Sequence, residues 1–244
     1  MKLLLLAGTA EARDLAERLA ADPRVEALAA LAGATRAPSD YAVPVRHGGF
    51  GGEAGLEKHC KDNGIECVID ATHPFSRIMP GRAAALCAQL RLPYLRVLRP
   101  GWTPGPGDNW TFVADEAAAA DVITEGARVF LATGRRSLPR FAALARGRHL
   151  IARVIDPPTD PFPFPIGEWR VGRPPFRVAD EVQTLRDLAV DVLVAKDAGG
   201  PAEAKLEAAR SLGLPVVMLR RPPPPPGDRV ASVAAAMDWL ERRL

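Results

Sequence analysis

The chain is predicted to be an α/β protein built from two doubly wound parallel-sheet domains with a cleft between them. Three observations predict this. Short apolar runs alternate with stretches of helical periodicity through both halves, which is the pattern of parallel strands covered by helices. The runs Leu3–Leu6, Cys67–Ile69, Arg128–Ala132 and Val190–Lys196 each pass directly into a polar loop and then a helix. At 244 residues, the chain is long enough for two such units.

Taken in order, Lys2–Ala7 reads as a strand and Glu11–Ala21 as a helix, with Ala12, Leu15, Ala16 and Leu19 at helical spacing. Glu26–Ala32 is a strand that stops at Gly33, and Val43–His47 is a short strand before Gly48-Gly49-Phe50-Gly51-Gly52. Glu53–Asn63 is a helix with Gly64 as its terminator. Glu66–Asp70 is a strand, Pro80–Gln89 an alanine-rich helix and Tyr94–Arg99 a strand. Residues 101–113, rich in Gly, Pro and Trp, form a crossing segment. The expected domains are therefore 1–105, binding a cofactor, and 106–244. In the second, Asp115–Glu125 reads as helix, Arg128–Ala132 as strand, and Thr133–Ser137 as a loop into a helix begun by Leu138-Pro139. His149–Val154 is a strand and Asp156–Pro165 a proline-stiffened loop. Ala179–Leu188 is a helix, Val190–Lys196 a strand, Glu203–Leu212 a helix and Pro215–Leu219 a strand. Pro222–Pro226 is an extended connector to a terminal helix, Asp228–Arg242.

Composition narrows the function. A hydrophobic fraction of 48% with 25% charged residues describes a globular protein with a sizeable core. The net charge of +3 is spread as single arginines and not as a basic face, which argues against nucleic acid and suits an anionic small ligand. Three cysteines without CxxC spacing predict free thiols, no metal site and a reducing compartment, the cytoplasm. The N-terminal apolar run is too short for a signal peptide, and no run is long enough to span a bilayer.

The strand-end loops carry the candidate chemistry. Gly8-Thr9-Ala10-Glu11-Ala12 brings a glycine and a helix N-terminus together, a phosphate cradle with one glycine where a dinucleotide fingerprint has three. Glu11 and Arg13 either read the ligand or pair with each other. Thr35 and Arg36, after the second strand, stand where the adenosine ribose of a nicotinamide cofactor is met. No acid precedes Asp40, and Arg36 tilts the choice to NADP. Gly49 lies in a four-glycine loop whose amides can line a ligand. Thr72, His73 and Pro74 either serve acid–base chemistry or hold a nicotinamide, with Asp70 and Thr72 organising the loop. In the second half, Gly134-Arg135 and Lys196-Asp197-Ala198-Gly199-Gly200, with Lys205 beyond, offer glycine for close approach and cations for an anion.

Together, LLLLAGTAEAR (3–13), DATHPFSRI (70–78), RPGW (99–102), ATGRRSL (132–138) and AKDAGGPAEAKLEAARSLGLPVVMLRRP (195–222) resemble the precorrin-6A reductase family of cobalamin biosynthesis. The departures are Ala7, where a glycine is common, and Ala198, where a serine is common. The resemblance implies two Rossmann-like domains and NADPH-dependent reduction of one double bond of precorrin-6A to precorrin-6B. It implies an anionic tetrapyrrole substrate whose carboxylates meet Arg77, Arg135, Lys196 and Lys205, near Gly134, Gly199 and Gly200. His73 is then a proton donor or a positioning group. Two other readings of the loops stand beside it: a two-domain transferase handling nucleotide sugars, and a non-catalytic anion receptor.

Overall fold

The computed structural model describes residues 1–31, 41–201 and 203–244. Two units divide the chain: Met1–Pro100 with Pro222–Leu244, and Gly101–Arg221. Each holds one six-stranded, wholly parallel sheet.

The first unit contains β1 (Lys2–Leu6), α1 (Ala10–Ala20), β2 (Glu26–Leu31), β3 (Val45–His47), α2 (Glu53–Asp62), β4 (Cys67–Asp70), α3 (Met79–Leu90) and β5 (Tyr94–Val97). The second contains β6 (Trp110–Val113), β7 (Arg128–Ala132), β8 (His149–Val154), β9 (Gly167–Val171), α4 (Val178–Asp187), β10 (Val192–Lys196), α5 (Ala204–Ser211) and β11 (Val216–Leu219). The chain then returns to the first unit with β12 (Asp228–Val230) and α6 (Val233–Glu241).

The strand orders are β3-β2-β1-β4-β5-β12 and β9-β8-β7-β10-β11-β6. Both follow the doubly wound order, with the reversal between β1 and β4 in the first and between β7 and β10 in the second. β1 shows why the helices lie on both faces. Its side chains alternate, so Leu3 and Leu5 pack with α1 and α6, while Leu4 and Leu6 pack with α2 and α3. All four leucines are buried, each worth about 1.5–3 kcal/mol. In the second unit Phe130, Leu193 and Ala195 pack against Leu185 of α4 and Leu206, Ala208 and Ala209 of α5.

The structure departs from the sequence expectation in identifiable places. A boundary at 105/106 leaves the last strand and helix in the second domain. They belong instead to the first, because β12 pairs with β5 and α6 joins the α1 core. The start of the expected terminal helix is this strand, and Ser232 caps the helix through the Ala235 N–H. Residues 110–113, expected as part of a crossing segment, are a strand, and so are residues 167–171, to which the sequence pattern assigns no element. Of the helix expected at 115–125, only a 3-10 turn forms, Ala118–Asp121. The Arg148 guanidinium takes the carbonyls of Ala120, Ile123 and Thr124, groups that a continuing helix would use. Arg135–Phe141 is a 3-10 helix with Pro139 inside it, where a helix from Leu138 was expected. Among the described residues, no helix is long and apolar enough to cross a membrane.

Candidate functional site

In an open parallel sheet, ligands gather outside the carboxyl ends of the strands where the strand order reverses. In the first unit that point lies between β1 and β4, whose last residues, Leu6 and Asp70, are in register. The β1 loop turns through Gly8 at φ +143°, and a Cβ built there meets nothing within 4 Å. The position is an open cradle that a non-glycine residue would both strain and fill. Thr9 is buried and does two things. Its hydroxyl oxygen caps α1 by accepting from Ala12 N at 3.2 Å, and its O–H donates to Ala71 O at 2.8 Å, tying the β1 loop to the β4 loop. Glu11 pairs with Arg99 at 2.6 Å, not with Arg13, so the carboxylate in the first turn of α1 is offset by a cation. Arg13 and the Gly8 backbone hydrogen-bond Tyr41, whose hydroxyl burial pushes up in pKa.

The β4 loop stands on a buried ion pair. Asp70 has no exposed surface, and Arg96 is 3% exposed. Arg96 donates to the Asp70 carboxylate, to Thr72 Oγ1 at 2.7 Å and to the His73 carbonyl at 3.3 Å. The other carboxylate oxygen accepts from the Tyr94 hydroxyl at 2.9 Å, and Thr72 N donates to Oδ1 at 2.9 Å. Burial, reinforced by the neighbouring Asp70 charge, raises the Tyr94 pKa, so the phenol stays a donor. Asp70 is therefore a loop organiser with both oxygens engaged. His73 is exposed at the loop tip, with Nδ1 accepting from Phe75 N at 3.1 Å, which leaves Nε2 to carry the proton of the neutral ring. Pro74 is buried, and Arg77 is exposed on the following turn.

The glycine loop after β3 is ordered by Arg46. Its guanidinium donates to Gly48 O and Gly49 O and lies 4.4 Å from the Phe50 ring centroid. Gly49 itself has ordinary backbone geometry; the left-handed positions are Gly48, Gly51 and Gly52. Thr35 and Arg36 lie outside the described residues.

The second unit has its own reversal point, between β7 and β10. Lys196 Nζ donates to Thr133 O at 2.6 Å, and the Ser137 hydroxyl reaches the same oxygen at 2.7 Å. Gly134 turns at φ +79° with open space where a Cβ would sit. Arg135 is exposed and pairs with Asp160 at 2.8 Å. Its neighbour Arg136 is exposed and has no hydrogen bond or ion pair among the described residues. Across β10, Gly199 and Gly200 are left-handed, and Gly200 O accepts from the Trp102 indole at 3.0 Å. The Trp102 backbone N–H donates to Asp197 Oδ1, and a Cβ on Gly101 would stand 2.6 Å from that carboxylate. Lys205 lies 4.9 Å from the Trp102 ring centroid. Burial lowers its pKa to about 8, against the pull of Glu181. Glu181 pairs with Arg153 at 2.9 Å, and Arg153 lies between the rings of Phe130 and Phe176.

The structure thus brings Gly8, Thr9, Ala10, Glu11 and Ala12 beside Thr72, His73 and Pro74. It separately brings Gly134, Arg135, Lys196, Gly199 and Gly200 to one strand-end edge, with Lys205 at the start of the helix that follows. Sequence reasoning did not single out Arg96, Tyr94 or Arg136. Arg96 and Tyr94 sit two apart on β5, and that spacing puts both on one sheet face. Arg136 is the second arginine of Thr133-Gly134-Arg135-Arg136, readable as a cation at a strand end.

Residues 2–241 match the family described as precorrin-6x reductase CbiJ/CobK. A precorrin-6A reductase of Rhodobacter capsulatus is 45% identical over 98% of this chain and 95% of its own. One from Rhodococcus erythropolis is 43% identical over 98% and 97%. A cobalt-precorrin-6A reductase of Priestia megaterium is 30% identical over 92% of each chain. Among solved structures, CobK precorrin-6A reductase superposes with a TM-score of 0.92 at 44% identity, covering 99% of this chain and 96% of that one.

Proposed function

The chain belongs to the precorrin-6x reductase CbiJ/CobK family, which reduces precorrin-6A in cobalamin biosynthesis, and from that premise we propose that NADPH is its reductant and that each unit has its own ligand. The observation that carries the cofactor assignment is the open Gly8 cradle at the N-terminus of α1. Backbone N–H groups of Thr9, Ala10 and Glu11 present the positive end of the helix dipole to a pyrophosphate, while the Ala12 N–H holds the Thr9 cap that shapes this turn. Arg99 supports this by offsetting the Glu11 carboxylate. Thr35 and Arg36 take the adenosine ribose and its extra phosphate, and the Gly49 loop borders that end. Thr72, His73 and Pro74 line the nicotinamide side.

When bound, NADPH supplies a hydride; the protein's residues align the partners, exclude water and manage charge. Precorrin-6A is a tetrapyrrole carrying acetate and propionate groups. In the second unit Arg135, Lys196 and Lys205, joined by Arg136, pair with its carboxylates, and Gly134, Gly199 and Gly200 let the backbone approach. Reduction of a double bond needs one proton with the hydride. His73 serves as a positioning group in preference to an acid, because the Phe75 N–H occupies Nδ1 and would oppose a second ring proton there. The proton then comes from solvent. The 39–45% identity to relatives named for precorrin-6A, against 24–30% to those named for the cobalt form, favours the metal-free substrate. Three buried free thiols and the proposed dependence on NADPH support a cytoplasmic location.

The test is direct. Purified protein mixed with NADPH and precorrin-6A should lose reduced-nicotinamide absorbance in proportion to substrate; no substrate-dependent oxidation would refute the assignment. Arg36→Ala should raise KM for NADPH and leave that for NADH nearly unchanged. An equal rise for both would remove Arg36 from phosphate recognition.

A further inference from the structure

We infer that Tyr94, Asp70 and Arg96 are positioning residues for the hydride-transfer step: they hold the Thr72–His73–Pro74 loop in the one shape that aligns the nicotinamide. The inference rests on the cofactor placement proposed above.

The geometry begins with β5. Its register sets Tyr94 opposite Val68 and Arg96 opposite Asp70. Residues two apart on a strand point to the same face, so both β5 side chains emerge on the α3 side of the sheet, while Leu95 between them packs in the α1 core. That face delivers a phenol and a guanidinium beneath the loop that follows β4. Arg96 spans three residues of that chain: it holds the Asp70 carboxylate, the Thr72 hydroxyl and the His73 carbonyl. Tyr94 fixes the second Asp70 oxygen. The inward polar groups of His73 are both taken, the carbonyl by Arg96 and Nδ1 by Phe75 N, so the ring direction is set from below.

Energetics argue that this is not a device for stability. Removing an arginine and an aspartate from water costs several kcal/mol per ion, and apolar residues of similar volume would often serve the fold as well or better. What the pair supplies is direction: a rigid planar fork with several donors at fixed angles, which an apolar plug lacks. Direction is worth most where reacting atoms must meet, since small misplacements there cost orders of magnitude in rate.

The test uses Tyr94→Phe, which removes one hydroxyl and keeps the ring, and Arg96→Lys, which keeps the charge against Asp70 but cannot span Thr72 and His73 together. Gly8→Val is run in parallel to probe the cofactor placement. The expected result is a fall in kcat of about tenfold or more for the first two. KM for precorrin-6A should be unchanged, and the deuterium isotope effect with 4-deuterated NADPH should be larger than in the parent protein. Gly8→Val should raise KM for NADPH. If Tyr94→Phe and Arg96→Lys lose only melting temperature, with kcat and isotope effect as in the parent, the inference falls while a Gly8→Val effect keeps the placement. If Gly8→Val leaves NADPH kinetics untouched, the placement falls and the inference with it. Should Tyr94→Phe fail to fold, Arg96→Lys decides alone.

Discussion

The two units share a strand order and yet use the ends of their central strands in opposite ways. At β1 and β4, the charges that hold the strand-end loops are paired with one another. Asp70 and Arg96 neutralise each other in the interior, Glu11 is paired with Arg99, and the cross-link between the loops is a neutral hydroxyl, Thr9 to Ala71 O. At β7 and β10 the cross-link is itself a cation, Lys196 to Thr133 O, and Arg135 and Arg136 stand exposed beside it. An open helix N-terminus whose neighbouring carboxylates are paired suits a cofactor whose phosphates are held by backbone. A cationic rim suits a ligand whose recognisable feature is many carboxylates. Topology fixes where a ligand sits; the strand-end residues fix which ligand it is.

The largest expected effect attacks the buried side of that contrast. Asp70→Ala leaves Arg96 uncompensated in the interior and should cost about 3–5 kcal/mol of stability. The matching change in the second unit, Asp197→Ala, releases the Trp102 N–H and the half-buried Arg221, and should cost about 1 kcal/mol. Urea denaturation of both variants gives the difference. Equal losses would mean that the two reversal points are not differently built.

The next effect belongs to the cationic side. Arg136 is exposed and unpaired among the described residues, so Arg136→Ala should leave the melting temperature in place. It should raise KM for precorrin-6A about fivefold to tenfold, the worth of one charge-assisted contact, and leave KM for NADPH unchanged. Added salt should shrink the difference between variant and parent. A change confined to NADPH kinetics would reverse the assignment of the two units.

Much of this contrast can be read from the sequence, and what cannot shares one cause. The central strands β1, β4, β7 and β10 are buried on both faces, so each is a continuous apolar run that periodicity finds. The strands that escape it, β6, β9 and β12, all lie at sheet edges. Their residues are only partly buried, and in Asp228-Arg229-Val230 mostly polar, so pairing with an inner neighbour is what makes them strands. The return of the chain to the first unit depends on β12, so the domain division is hidden with it. At the sites, glycines and cations after apolar runs announce Gly8, Gly134 and Lys196. Arg96 and Tyr94 lie inside a strand that reads as core, and only register with β4 shows that they serve a loop. Their signal is a charged residue within a buried run, which is costly to bury unless it is paired.

The smallest effect sharpens the comparison through pH. Lys205 is a cation of the second cluster whose charge the fold itself opposes: burial beneath Trp102 lowers its pKa from the ordinary 10.5 to about 8. Below pH 8 it is charged and can meet a carboxylate; above pH 8 the folded protein gives up the proton. KM for precorrin-6A should therefore rise severalfold as pH passes through 8, and Lys205→Met should be weaker at low pH and flat across that range. Stability runs the other way. Between about 8 and 10.5 the unfolded chain holds the proton that the folded chain has released, so stability conferred at this site increases with pH over that window. Lys205→Met should lose that slope as well. The proposed phosphate cradle of the first unit is made of backbone N–H groups, which do not titrate here, so KM for NADPH should be level where KM for precorrin-6A is not. A parent enzyme whose precorrin-6A KM is level through pH 8 would remove Lys205 from substrate binding and leave the cationic rim to Lys196, Arg135 and Arg136.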